Sequence, residues 1–229
     1  MGVPVAPPLF FVKDIDAPVL LAGDRHHAAR VLRIRDREPV TVSDGRGQWR
    51  SCWFGDHLRI ASDVVIEATV DDPITVGFAL TKSTKPEFVV QKLTEVGVDR
   101  ILPFASERSI VRWEPAKADA RRDRWQVVAR EAAMQSRRAW LPTVAEVATF
   151  EQVAVAPAVL ADLEGRRLMA SDRTVLVGPE GGWTDAERGI GIERVCLGPG
   201  VLRAETAAVV SGAFLASLRD GIPTSGDAG

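Results

Sequence analysis

Residues Val175–Glu187, which read VLVGPEGGWTDAE, form the strongest local signal in this sequence. The apolar run Val175–Val177 is typical of a buried strand, and it leads directly into a glycine-rich loop. Thr184 or Asp185 then caps a short helix. Because glycine lets backbone N–H groups approach a ligand closely, the loop is a candidate binding segment. Its spacing is neither G-x-G-x-x-G nor that of a P-loop, which argues against both classes of nucleotide site.

A second segment, Val195–Ala207 (VCLGPGVLRAETA), has the same design. A strand ends in a Gly/Pro loop, and a helix follows at once. Arg203, Glu205 and Thr206 stand where the loop meets the helix, so their polar ends can point into a site. Taken alone, these residues fit an ordinary helix start better, in which Glu205 favours the helix dipole, Thr206 helps to cap the helix and Arg203 lies on the surface. Two matched loops that end strands of one sheet favour a shared ligand crevice.

Strands and helices alternate over the C-terminal two thirds of the chain. This alternation predicts a mainly parallel sheet with helices on both sides, an α/β fold. Predicted strands are 74–80, 101–104, 159–161, 175–177 and 195–197, and predicted helices are 87–96, 116–135 and 205–218.

The N-terminal residues predict a small β-rich module. Pro39–Ser43 and 48–54 alternate around the turn Asp44–Gly47, which is a hairpin pattern. Short strands follow at Ile60 and 64–68, and 25–32 is the one helical stretch. We therefore expect two domains, a β-barrel-like module over residues 1–72 and an α/β domain over 73–229.

Composition excludes several classes of protein. The two cysteines, Cys52 and Cys196, form no C-x-x-C pattern, which argues against a disulfide framework or a cysteine metal site. No apolar run is long enough to span a bilayer, and the first residues have no signal-peptide pattern, so we expect a cytoplasmic protein. The net charge is −2, but arginines cluster at 25–37 and 121–138, which favours a polyanionic partner.

These motifs together resemble the RsmE family of ribosomal RNA uridine methyltransferases. The resemblance rests on GPEGGW at 178–183 and on LGPGVLRAETA at 197–207. Four further segments fit the family in the same order along the chain: HAARVLR at 27–33, QKLTEVGV at 91–98, ERS at 107–109 and EAAMQSRR at 131–138. One position departs, since members commonly carry arginine where this chain has Gly200, and contacts of that arginine do not carry over.

The resemblance implies a C-terminal SPOUT domain with a deep trefoil knot and an N-terminal PUA-like β-barrel that binds RNA. It also implies a homodimer whose active site is completed across the interface. The implied cofactor is S-adenosylmethionine, and no metal is needed. The residues that would bind the cofactor are Val177, Gly178, Glu180, Gly181, Gly182, Leu197, Gly198, Leu202 and Thr206.

The implied reaction is methylation of N3 of a specific uridine in 16S ribosomal RNA, on the assembled small ribosomal subunit. N3–H is a weak acid, so the site needs a proton acceptor and a cation. Glu205 is the candidate for the first role and Arg203 for the second. The candidate RNA-binding residues are Arg30, Arg33, Lys82, Lys85, Arg108, Arg112 and Arg137.

Two alternatives stay open. A related knotted enzyme would methylate a ribose 2′-hydroxyl or a transfer-RNA base with the same cofactor loops. A noncatalytic RNA-binding or ribosome-assembly factor is the alternative from another class, although Arg203 and Glu205 beside two glycine loops disfavour it.

Overall fold

The computed structural model describes residues 7–80, 85–109 and 115–221, and the chain separates into two compact units. The first unit contains residues 1–70 and 130–141, and the second contains 71–129 and 142–229. Residues 130–141 thus cluster with the N-terminal residues rather than with the α/β residues around them in sequence. The division at residue 72 stays a prediction.

The first unit is built on a five-stranded sheet. Its strands are β1 (Leu9–Phe11), β2 (Pro39–Ser43), β3 (Gln48–Trp53), β4 (Arg59–Ile60) and β5 (Val65–Ile66). β2 and β3 form the predicted antiparallel hairpin, β1 runs parallel to β2, and both β4 and β5 pair with β3. The predicted helix is also present, as α1 (Ala22–His26) continued by a π-helical turn, His27–Val31. β1 was not predicted, because three apolar residues carry no alternating pattern.

An ion pair explains why residues from 130 onward belong to the first unit. Arg130 donates from Nη1 to Asp24 Oδ1 at 3.1 Å, and from Nη2 to the carbonyl oxygen of Phe11 at 3.2 Å. Its guanidinium also lies 5.7 Å from the centre of the Phe11 ring. Asp24 is buried, so this pairing supplies the partner that a buried carboxylate requires.

The second unit is the predicted α/β fold with a parallel sheet. The strand order is β12-β10-β11-β6-β7-β8, with β9 also paired to β7, and every pair in this sheet is parallel. The strands are β6 (Thr75–Ala79), β7 (Arg100–Ala105), β8 (Thr143–Val144), β9 (Ala148–Thr149), β10 (Val159–Arg167), β11 (Thr174–Val177) and β12 (Arg194–Cys196). Its helices are α2 (Pro86–Glu95), α4 (Phe150–Val153), α5 (Asp185–Arg188) and α6 (Ala204–Arg219), together with α3 (Pro115–Ser136) as far as residue 129.

Both faces of this sheet are covered by apolar side chains. Val175 and Val177 of β11 join the core that includes residues of α2, α3 and α6. Leu176, between them, joins a second cluster with Phe150 and Trp183 on the opposite face. Because successive side chains of a strand point to opposite faces, a fully apolar strand such as β11 must be buried on both.

The parallel sheet brings the two glycine-rich segments to one edge. The loops that follow β11 and β12 leave the carboxyl ends of strands that flank β10, and this is where open α/β sheets bind their ligands. Among the helices of the described residues, none combines the length and the apolar character needed to cross a membrane.

Candidate functional site

The loop after β11 folds back on a buried tryptophan. Trp183 is 2% exposed, lies parallel to the Phe104 ring with centroids 6.2 Å apart, and donates from Nε1 to the Ala161 carbonyl at 2.9 Å. A Cβ added at Gly178 would lie 2.9 Å from the Trp183 ring, so this position requires glycine. Gly182 has φ +68°, the left-handed region that glycine tolerates. The glycines therefore serve the fold of the loop itself.

Helix α5 begins with a complete capping box, and of the two predicted cap residues it is Thr184 that caps the helix. Thr184 is the N-cap, and its hydroxyl accepts the backbone N–H of Glu187 at 3.2 Å. The Glu187 carboxylate accepts the backbone N–H of Thr184 at 2.8 Å in return. These reciprocal bonds fix the point at which the loop ends.

The loop after β12 is open by comparison. Added Cβ atoms at Gly198 and Gly200 would meet nothing within 4 Å, and Val201 is 85% exposed. Arg203 occupies the N-cap position of α6, but its side chain forms no capping hydrogen bond. Within the described residues, no hydrogen bond or salt bridge engages the side chains of Arg203 and Glu205.

A pocket lies between these loops, at the carboxyl ends of β11 and β12 and beside residues 161–163 in the middle of β10. It has a volume of about 220 Å³ and a mouth that is open to solvent. Its walls are mostly apolar with a few polar groups, which is the usual composition of a small-molecule site. The lining residues are Ala161, Asp162, Leu163, Val177, Gly178, Pro179, Glu180, Gly182, Trp183, Arg188, Leu197, Gly198, Gly200, Val201, Leu202, Ala204 and Ala207.

A carboxylate of the pocket wall, Asp162, is held in its ionised form. Partial burial opposes ionisation, but the backbone N–H of Glu164 and the guanidinium of Arg188 outweigh it, and the pKa of Asp162 falls below its usual value. Arg188 Nε donates to Asp162 Oδ2 at 3.0 Å, and Arg194 Nη1 lies 3.7 Å from the same oxygen. The pocket thus presents a fixed anion beside a guanidinium.

Seven of the residues predicted to bind a cofactor line this pocket: Val177, Gly178, Glu180, Gly182, Leu197, Gly198 and Leu202. Gly181 and Thr206 lie outside its wall. Arg203 and Glu205 do not line the pocket, but Ala204 between them does. The structure thus brings the two loops together, while the contacts and roles of individual residues stay predictions.

Sequence reasoning missed Ala161, Asp162, Leu163 and Arg188 of the pocket. The predicted strand ended at Ala161, whereas β10 continues to Arg167. Asp162 lies inside β10, so the rule that ligands bind beyond the carboxyl ends of parallel strands does not include it.

The predicted RNA-binding residues lie in both units. Arg30, Arg33 and Arg137 are exposed in the first unit, and Arg33 and Arg137 have left-handed backbones with φ 55° and 61°. Lys85 and Arg108 are exposed in the second. Lys82 and Arg112 lie outside the described residues.

Comparison with known proteins gives consistent matches. The RNA methyltransferase domain family matches residues 69–216. The ribosomal RNA small subunit methyltransferase E of Mycobacterium bovis is 35% identical over an alignment of 233 residues, gaps included, that covers 89% of this chain and 88% of that protein. The corresponding enzyme of Neisseria gonorrhoeae, solved with S-adenosylmethionine bound, superposes with a TM-score of 0.74 at 28% identity, over 93% and 98% of the two chains. A candidate methyltransferase of Legionella pneumophila, also solved with this cofactor, gives 0.78 at 26% identity, over 92% and 97%.

Proposed function

Because the chain belongs to the RsmE family of small-subunit ribosomal RNA methyltransferases, we propose that it methylates N3 of a specific uridine in 16S ribosomal RNA. It is an S-adenosylmethionine-dependent methyltransferase of small-subunit ribosomal RNA. The observation that supports the proposal best is the pocket between the loops after β11 and β12 and the middle of β10, with Arg203 and Glu205 next in sequence to lining residues and bonded by no other group of the described residues.

The residues of this pocket fit S-adenosylmethionine. Val177, Leu197 and Leu202 offer apolar surface for the adenine ring, while the loop backbone offers donors and acceptors for its edge. The ionised Asp162 is suited to accept hydrogen bonds from hydroxyl or ammonium groups. When bound, the cofactor supplies a methyl group on a sulfonium, which is already a good leaving group.

Arg203 and Glu205 carry the proposed chemistry. The uracil N3–H must lose its proton before or during attack, and Glu205 accepts it or orients the base. The negative charge that develops on the uracil carbonyl oxygens is stabilised by the Arg203 guanidinium. Neither residue forms a covalent intermediate.

The RNA has to present an unpaired uridine, because N3 lies on the Watson–Crick edge. We propose that the exposed cations Arg30, Arg33, Arg137, Lys85 and Arg108 hold phosphates on either side of it. Lys82 and Arg112 belong to the same proposal. The substrate we propose is the assembled small ribosomal subunit.

The finer architecture that the family implies is also a proposal. The second unit would be a SPOUT domain with a trefoil knot, and the five-stranded first unit would be a PUA-like barrel. The protein would act in the cytoplasm as a homodimer, with the active site completed by the partner subunit.

The experiment that tests this function is methylation of small ribosomal subunits from cells that lack the protein. Subunits are incubated with the protein and S-adenosylmethionine, and the nucleosides are identified by mass spectrometry after digestion. We expect new 3-methyluridine. A different methylated nucleoside would keep the cofactor and overturn the uridine assignment, and no methylation of subunits or free RNA would favour a noncatalytic RNA-binding factor.

A further inference from the structure

Glu187 carries a buried carboxylate that does not line the cofactor pocket. The residue is 4% exposed, and a buried carboxylate needs donors to replace the water that it loses. Among the described residues, each oxygen accepts one hydrogen bond. Oε1 accepts the backbone N–H of Glu107 at 3.0 Å, and Oε2 accepts that of Thr184 at 2.8 Å. One side chain therefore joins the segment after β7 to the loop after β11.

Two further contacts join the same two segments. The Thr184 hydroxyl donates to Glu107 Oε2 at 2.7 Å. Arg108 donates from Nη1 to the carbonyl oxygen of Gly181, within the glycine-rich loop itself. We name this set of contacts, formed by Glu107, Arg108, Gly181, Thr184 and Glu187, the Glu187 clamp.

The two segments that the clamp joins face different ligands. Gly178 and Gly182 belong to the wall of the cofactor pocket. Arg108 is an exposed cation with a proposed role in binding RNA phosphate. The same set of contacts holds the glycine-rich loop and Arg108. A ligand that orders this loop therefore also orders Arg108, and the second ligand then binds with a smaller loss of conformational entropy.

We propose that Glu187 is a positioning residue that couples cofactor binding to RNA binding through this clamp. The inference rests on the proposed function, since it takes RNA as the ligand of Arg108. Coupling of this kind is reciprocal, so each ligand tightens the binding of the other by the same factor.

The test measures the affinity for small ribosomal subunits with and without S-adenosylhomocysteine, which occupies the cofactor site but has no methyl group to transfer. In the unaltered protein we expect S-adenosylhomocysteine to tighten subunit binding about fivefold or more. In Glu187→Gln, the amide NH2 cannot accept an N–H, so one arm of the clamp breaks and the ratio should fall towards one. Glu151→Gln, an exposed carboxylate of α4 outside the clamp, should keep the full ratio.

Arg108→Ala provides a variant that disturbs no buried group, in case Glu187→Gln fails to fold. It should weaken subunit binding and lose the coupling ratio as well, while its melting temperature stays unchanged. A folded variant of either kind that keeps the ratio of the unaltered protein overturns the proposal. So does an unaltered protein that binds both ligands without coupling, and that result leaves the proposed function intact. An unaltered protein that binds neither ligand overturns the function and the inference together.

Discussion

The two glycine-rich loops look alike in sequence and differ in how they are held. The loop after β11 packs Gly178 against Trp183 and is tied by Glu187 and Arg108 to the segment after β7. In the loop after β12, Gly198 and Gly200 have open space around them. Glycine thus permits close packing in the first loop and leaves room in the second. The first loop is therefore held by its own packing, and the second has free space around its glycines.

The largest expected effect comes from removing the anchor of the first loop. Trp183→Ala deletes a buried indole that stacks on Phe104 and bonds the Ala161 carbonyl, so we expect a loss of about 3–5 kcal/mol in the free energy of unfolding. Binding of S-adenosylmethionine should be lost as well. Urea unfolding and calorimetry measure the two effects.

Val201→Ala is the matched control in the second loop, because its side chain is exposed. It should change the unfolding free energy by less than about 0.5 kcal/mol. If both variants lose stability equally, the two loops do not differ as described.

The next prediction distinguishes a catalytic role of Glu205 from a structural one. Glu205→Gln changes a half-buried residue at the end of the second loop, and no protein group in the described residues holds its side chain. We expect kcat to fall about 100-fold or more, as for loss of a general base, with cofactor affinity and stability nearly unchanged. Single-turnover methylation and calorimetry supply the measurements. An equal loss of turnover and cofactor affinity would refute the acid–base role.

A direct comparison of glycines gives a smaller effect. Gly178→Ala places a Cβ 2.9 Å from the Trp183 ring, and we expect this overpacking to cost about 1–3 kcal/mol. Gly200→Ala meets no atom within 4 Å and should cost less than about 0.5 kcal/mol. Neither position has a positive φ, so the pair isolates crowding from backbone strain. Equal melting temperatures for the two variants would count against the packing role of Gly178.

Local sequence patterns predicted many of the elements compared above, and the remaining features depend on tertiary contacts. The strands β11 and β12, the hairpin and the cap at Thr184 follow from residues that are neighbours in sequence, so they could be read directly. The two-residue strands β8 and β9 form only against β7 and have no pattern of their own. The different packing of Gly178 and Gly200 could not be predicted from the sequence either, because it depends on where Trp183 lies in the folded chain.

The same limit explains Asp162 and the Glu187 clamp. Asp162 enters the pocket because β10 lies between β11 and β12, and this strand order is a property of the sheet. Glu187 is separated from Glu107 by 80 positions, and no spacing rule connects them. Residues 130–141 join the first unit through Arg130 and Asp24, which are 106 positions apart.

The smallest effect concerns the ion pair between Asp162 of β10 and Arg188 of α5, the helix that follows the first loop. Asp162 bonds Arg188 of α5, and its pKa lies below the usual 3.8. A carboxylate with a lowered pKa stabilises the fold above its usual pKa, and this contribution is lost as the pH falls through the lowered value. Asp162→Asn should therefore cost about 1 kcal/mol or less at pH 7 and pH 5, and the difference from the unaltered protein should shrink below pH 3.8. Urea unfolding at three pH values checks this, with Glu164→Gln, an exposed partner of Arg194, as the control. A difference that does not depend on pH would mean that Asp162 contributes by shape rather than by charge.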